Sequence, residues 1–419
     1  MKEELKLNYK RTFFIGCAFF TIMLLWQVYN YMCPLFLEEM GVSDKYKGLI
    51  MAADNIFALV MLPVFGAMSD KTKTKLGKRM PYIIVGTILA ALAFPFVAVF
   101  GMKGNLIGLL IVMGLILFFM NIYRAPAVAL MPDLTPKKHR SKANGIINLM
   151  GGIGGIFAYG TALLFGSKYP IIPFIVTSIL MITALIVLLL TVKEAKILAE
   201  IEEDEEVKEE LTNTEPLNKS QKKNLIFILC AVFFWFFAVN AVETFWGTYS
   251  WDVFFNNDAA KKTTGAIALL IFTAAAIVSY LPGGIIATKI GRRRTILIGI
   301  GCIFTAFLIA SFLTKWSLIG FVALFVLAGF GWAAINVNSY PMVVEYASES
   351  NGGKFTGFYY TASQLAQTVT PFIIGTIMDF IGRRMMFPYA SFFLFISFAF
   401  MFIVKENHKE EKQTESTTK

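Results

Sequence analysis

Histidine is nearly absent from this chain. There are two in 419 residues, His139 in a loop and His408 in the C-terminal tail. Histidine acid–base catalysis and histidine metal sites are thereby all but excluded. Cysteine is almost as scarce. Cys17, Cys33, Cys230 and Cys302 all fall in apolar runs without paired spacing, so neither a disulfide framework nor a zinc site is expected. The glycine run Gly151-Gly152-Ile153-Gly154-Gly155 has no strand pattern before it and no Lys-Ser/Thr after it. A phosphate loop, and with it a nucleotide-driven pump, is disfavoured. With no nucleophile–base pair and no carboxylate cluster at ligand spacing, an enzyme is not expected, nor is a cofactor or metal. Charge is also sparse, at 16% of residues, against about a quarter in soluble domains. The net charge of +10 does not imply nucleic acid, because the basic residues lie in short loops between apolar runs.

What the chain has in excess is apolar sequence, 57% of residues with a mean hydropathy of +0.65. The runs are long enough to cross a bilayer repeatedly. The pattern predicts twelve helices, over 12–37, 44–68, 80–100, 105–131, 141–166, 170–192, 225–251, 263–288, 294–314, 316–345, 355–380 and 385–404. The expected fold is therefore an all-α integral membrane protein with twelve transmembrane helices in two pseudo-symmetric six-helix bundles. Its parts are an N-terminal bundle (1–192), a charged linker (193–224), a C-terminal bundle (225–404) and a tail (405–419). The linker holds ten acids and six lysines and reads as a solvated helix or coil. The polar, basic residues 1–11 read as a cytoplasmic tail rather than a cleaved signal. With the N-terminus inside, inner loops carry 14 Lys and Arg and outer loops 9, which favours both termini in the cytoplasm of a multi-pass protein of the plasma (inner) membrane. Arg383-Arg384 is the clearest exception.

The two parts echo each other. Gly66-x-x-x-Asp70-Lys71, running on to Gly77-Lys78-Arg79, ends the second helix, and Gly284-x-x-x-Thr288-Lys289, running on to Gly291-Arg292-Arg293, ends the eighth. Asp133 to Gly145 and Glu345 to Gly357 each span twelve residues at equivalent connections. Weak internal symmetry of this kind marks a duplicated transporter, with its substrate site between the repeats. The charges that follow each glycine suit a cytoplasmic gate made of Gly66, Asp70, Lys71, Gly77, Lys78, Arg79, Asp133, Arg140, Arg292 and Glu345. The competing reading is that they only anchor loops inside.

These motifs resemble the major facilitator superfamily. The stretch from Pro63 through Gly66, Asp70 and Gly77-Lys78-Arg79 to Pro81-Tyr82 is similar to the signature of the glycoside–pentoside–hexuronide symporters. Tyr123-Arg124-Ala125-Pro126, Pro132-Asp133-Leu134 and Arg140 to Asn144 resemble the sucrose-transporter branch. The chain departs from both patterns. Residues 115–121 hold no acid where plant sucrose carriers have one, and Ala58 and Leu62 stand where melibiose-type carriers have two. Asp54 lies four residues before Ala58, on the same face. The resemblance implies a secondary active transporter, a proton-coupled symporter of a sucrose- or maltose-like disaccharide or other glycoside. The alternatives are an uncoupled facilitator or exporter of another small polar solute, or a non-transporting sensor.

Ionisable groups inside spans are costly and default to functional candidates. Asp54 and Arg124 are the expected proton-coupling pair, a proton being favoured over sodium, and a structural ion pair is the bland alternative. Sugar hydroxyls need hydrogen bonds and ring faces need aromatic contact. The expected substrate-binding set is Gln27, Asn30, Arg124, Asn240, Glu243, Trp246, Trp332, Asn336, Gln364 and Gln367, each amide of which could instead join helices. Asn144, Asn148 and the glycines after them read as a close-packing face. The expected partners are a small-molecule sugar, a proton and the lipid bilayer, without nucleic acid and as a monomer.

Overall fold

The computed structural model describes residues 8–135, 140–205, 219–344 and 352–405. Among them all regular structure is helical. The helices are α1 (Tyr9–Glu39), α2 (Asp44–Lys71), α3 (Met80–Met102), α4 (Leu106–Asp133), α5 (Arg140–Phe165), α6 (Ile172–Thr191), α7 (Glu194–Glu205), α8 (Lys219–Phe255), α9 (Ala266–Ile290), α10 (Arg292–Ser311), α11 (Leu318–Val344), α12 (Gly352–Ile381) and α13 (Met386–Ile403). Helices satisfy their own backbone groups, which hydrocarbon demands. Eleven of the long helices are apolar enough to cross a membrane by length and composition. The twelfth, α12, is diluted by Ser363, Gln364, Gln367, Thr368, Thr370 and Asp379. Two of these lie against α2, where the Gln367 carbonyl accepts from Asn55 and the Asp379 carboxylate from the Asp44 N–H.

The expected helices are present with shifted ends. The seventh span is the largest difference. As α8 it begins at Lys219, inside the expected linker, and runs to Phe255. The start of the linker is solvated on one face only, with Lys193, Ala195 and Lys196 exposed. It forms α7, with Glu194 fully buried and Ile197 nearly so.

Helices α1–α6 pack chiefly on one another, α1 against α5 and α6 and α3 against α4, and α8–α13 do likewise. The two sets meet along α2 and α12, α5 and α9, and α1 and α8. Glycine makes the α5 seam possible on both sides. A Cβ on Gly154 would lie 2.8 Å from the Phe20 carbonyl of α1, while Gly152 and Gly155 face Ile277 and Thr273 of α9. Leu92, Ile107, Leu164, Leu190 and Val278 point outward, as lipid allows.

The α2–α12 seam is closed at one end only. Gly48 and Gly375 lie against the backbones of Pro371 and Asp44, where any Cβ would collide. Eighteen residues are five full turns, so Gly66 shares the face of Gly48 and Gly357 shares that of Gly375. Neither Gly66 nor Gly357 has anything within reach of a Cβ. The helices therefore part toward the face that carries the α2–α3 connection and the described chain ends, here called the terminus face. They touch at the opposite face.

Candidate central site and its two faces

A cavity of about 30 Å³ lies between the two helix sets. Trp26 and Asn30 of α1 and Met51, Asp54 and Asn55 of α2 line one side of it. Asn240, Glu243 and Thr244 of α8 and Gln367 and Pro371 of α12 line the other. Five of the residues expected from sequence thus come together: Asn30, Asp54, Asn240, Glu243 and Gln367. The volume holds about two waters, a tenth of the roughly 300 Å³ at which ligand pockets begin.

Asp54 is 5% exposed, and its Oδ1 and the Asn240 Oδ1 have no hydrogen-bond partner. Beside Asp54, Asn55 donates from Nδ2 to the backbone carbonyl of Gln367 at 3.3 Å, a direct link between the sets. Gln367 in turn donates to the Ser363 carbonyl on its own helix. Gln27 accepts from the Tyr159 hydroxyl and is the hydrogen-bonding neighbour of Glu243 across the seam.

Arg124 departs from expectation. It makes no ion pair with Asp54 within contact distance and feels that carboxylate only through space. Its guanidinium lies 3.8 Å from the centre of the Trp26 ring instead. Such stacking, worth about 2 kcal/mol when desolvated, holds the cation where no carboxylate touches it.

Four further residues of the expected binding set lie elsewhere. Trp246 is fully buried among Tyr249, Phe254, Trp316, Phe321, Phe325 and Phe387, and its Nε1 donates to the Gly265 carbonyl at 2.7 Å. It is a packing residue, because its one polar atom is engaged and its ring is fully buried among aromatic side chains. Trp332 packs on Phe236 and Phe272, and Asn336 donates back to the Trp332 carbonyl. Gln364 is absent from the cavity wall, and its Oε1 is buried without a partner. Asn55 and Thr244 were not anticipated, since an asparagine beside an aspartate and a threonine beside a glutamate carry no signal of their own.

At the terminus face the expected charges do cluster. Arg79 donates from Nε to Asp133 at 2.9 Å, pairs with Asp70 and donates to the Gly66 carbonyl at 3.2 Å, while Lys78 reaches Asp133 at 3.2 Å. These contacts all lie within α2, α4 and the turn into α3, so they brace the first set rather than join it to the second. Lys71 is exposed, Arg292 starts α10, Glu345 lies outside the described residues, and so does the side chain of Arg140.

Sequence reasoning missed Glu194. Its carboxylate accepts from the backbone N–H of Lys78, Arg79 and Met80 at 2.9 Å each. It therefore caps the N-terminus of α3 from the linker helix. Gly77, at φ 115°, leaves the room that a Cβ would take from that carboxylate.

At the opposite face ion pairs do join the sets. Arg383 donates to Asp44 at 2.8 Å, pairs with Glu38 and reaches Asp252 at 3.3 Å. Lys47, fully buried, pairs with Glu38 and Asp44. Lys262 pairs with Glu39 and lies 4.8 Å from the centre of the Phe36 ring.

The family model for the Major Facilitator Superfamily matches residues 15–256 and 244–419. Among curated proteins, the chain is 27% identical to "Sucrose transport protein SUC3" of Arabidopsis thaliana over 143 residues, 30% of this chain and 24% of that protein. The matched part thus spans about a quarter of that relative's length. It is 23% identical to "Multidrug resistance protein 2" of Bacillus subtilis (strain 168) over 381 residues, 90% of each chain. Among solved structures, a bacterial homologue of the human lysosomal transporter Spinster, in its inward-facing and occupied conformation, superposes with a TM-score of 0.70 at 15% identity, covering 96% of this chain and 97% of that one. That likeness is one of fold.

Proposed function

The chain belongs to the major facilitator superfamily, and we propose that it is a secondary active transporter that carries a glycoside or disaccharide together with a proton. One observation carries the reading. Acids and amides from both helix sets, Asn30, Asp54, Asn240, Glu243 and Gln367, converge on a single cavity between them. Carboxylates and amides match a substrate dense in hydroxyls, and the likeness to a sucrose transport protein supports a sugar. The bundles 1–192 and 225–404 rock about this site, and the cavity enlarges when they do. Asp54 carries the proton, and Arg124, held on Trp26, supplies a counter-charge through space. Both termini lie in the cytoplasm of a plasma-membrane protein that works as a monomer, and the parted helices at the terminus face make this the inward-open state.

A second reading is export of another solute, favoured by the multidrug-resistance relative that matches over 90% of both chains. Proteoliposome counterflow separates the two. Labelled disaccharide should exchange into vesicles preloaded with the same sugar, and a pH gradient should drive net uptake. Exchange of an apolar cation with none of any sugar would favour export.

A further inference from the structure

We propose that the charged cluster at the opposite face, built on Asp44, Asp379 and Arg383, is the lock that holds the two helix sets together and must release for that face to open. The proposal rests on the alternating-access reading and adds the contact whose release drives it. The central element is a helix cap supplied from the other set. Asp379 of α12 accepts from the backbone N–H of Asp44 at 2.8 Å and of Lys45 at 2.9 Å. Both are free donors of the first turn of α2, where helix geometry leaves them unpaired and the dipole favours an anion. No side chain of the first set caps this end, because Ser43 makes no capping bond.

Around that cap, Arg383 joins Glu38 and Asp44 of the first set to Asp252 of the second. Gly48 and Gly375 bring the two backbones into contact, so the seam has no slack into which a side chain could retreat. All the parts fail together. Separating α2 from α12 uncaps two amides, strips Arg383 of Glu38 and Asp44, and leaves those two acids to share Lys47 alone. Uncapping amides and splitting ion pairs together is costly, so the contact is made or broken as a unit. At the terminus face the named ion pairs stay within the first set and place no comparable tie across the seam. The arrangement also explains why Arg383 breaks the distribution of basic residues: it sits at the opposite face as a contact and not as a topology signal.

The test is hydrogen–deuterium exchange of the full chain in detergent, comparing wild type with Asp379→Ala, Arg383→Gln and the milder Asp252→Asn. A lock predicts a reciprocal response. Exchange over residues 40–50 should rise about tenfold in the first two variants, the order expected when a helix cap is lost, while exchange over 56–70 and 357–368 should fall as the terminus face closes. Asp252→Asn should move both regions in the same directions by less. Faster exchange at 40–50 without protection at the other face, or no change in any variant, overturns the proposal. Glycoside binding, measured separately by thermal shift, reads the transport assignment independently of this result.

Discussion

The proposed coupling rests on a single side chain, Asp54. It is nine-tenths buried, one of its oxygens has no partner, and the nearest cation is held on an indole rather than on the carboxylate. A carboxylate left in that position must be either neutralised or solvated, and a proton is the smallest group that neutralises it. Replacing it with asparagine fixes the neutral form at nearly constant volume. Asp54→Asn should therefore abolish gradient-driven accumulation of sugar yet keep exchange between equal pools, because exchange needs no net release of a proton. Uptake against a sugar gradient in reconstituted vesicles, beside equilibrium exchange in the same preparation, checks this. Accumulation by the variant would move the role to Glu243, the other acid in the cavity wall. Residues of this kind were legible in the sequence, since an acid within an apolar span stands out against its surroundings. Trp246 was misread for the same reason that made it conspicuous. An indole in a span satisfies a sugar or an aromatic core equally well, and only the packed rings and the Gly265 carbonyl decide for the core.

At the scale of elements, the α2–α3 connection is held from outside itself. Three amides of the α3 terminus converge on Glu194, a residue more than a hundred positions away in sequence and the first of α7. The charge run around it led to the expectation of a solvated linker. Composition reports the average of a segment and not the one residue that folds back. Glu194→Ala would leave three donors without that partner, two of them buried, a loss of about 2 kcal/mol or more. The expected outcome is a lower melting temperature and slower transport with near-normal sugar affinity, measured by thermal unfolding and by binding. Glu194→Gln should recover part of the loss, because the amide oxygen still accepts, though without the charge that the helix terminus favours. Equal melting temperatures in wild type and Glu194→Ala would mean that α7 does not brace the connection. The twelve long helices were readable from the sequence, eleven of them from length and hydropathy alone. The α8 start and the α7 dock were not, because both depend on contacts between segments far apart in the chain.

For the whole molecule, one asymmetry organises the rest. Glycines five turns apart on the same helix faces are in contact at one end, Gly48 and Gly375, and free at the other, Gly66 and Gly357. The sequence showed the echo between the halves but not which end was closed, since a duplicated pattern is symmetric and a conformational state is not. The proposal that the terminus face meets the cytoplasm rests on the basic residues. The connection after α2 exposes Lys71, Lys73 and Lys75 to solvent, beside Lys78 and Arg79, which pair with acids of the first set, whereas Lys47, Lys262 and Arg383 at the opposite face are all engaged in ion pairs with acids there. A cluster with so many lysines exposed to solvent is the signal that retains a loop inside, and residues buried in contacts have a separate reason to be where they are. In sealed right-side-out vesicles, single cysteines placed at the exposed Lys103 and Lys168 should react with an impermeant maleimide. A cysteine at the exposed Lys75 should react only after the membrane is permeabilised. Labelling of Lys75→Cys in sealed vesicles would invert the molecule, turn the parted seam toward the exterior, and make the charged cluster at Asp379 and Arg383 a cytoplasmic contact.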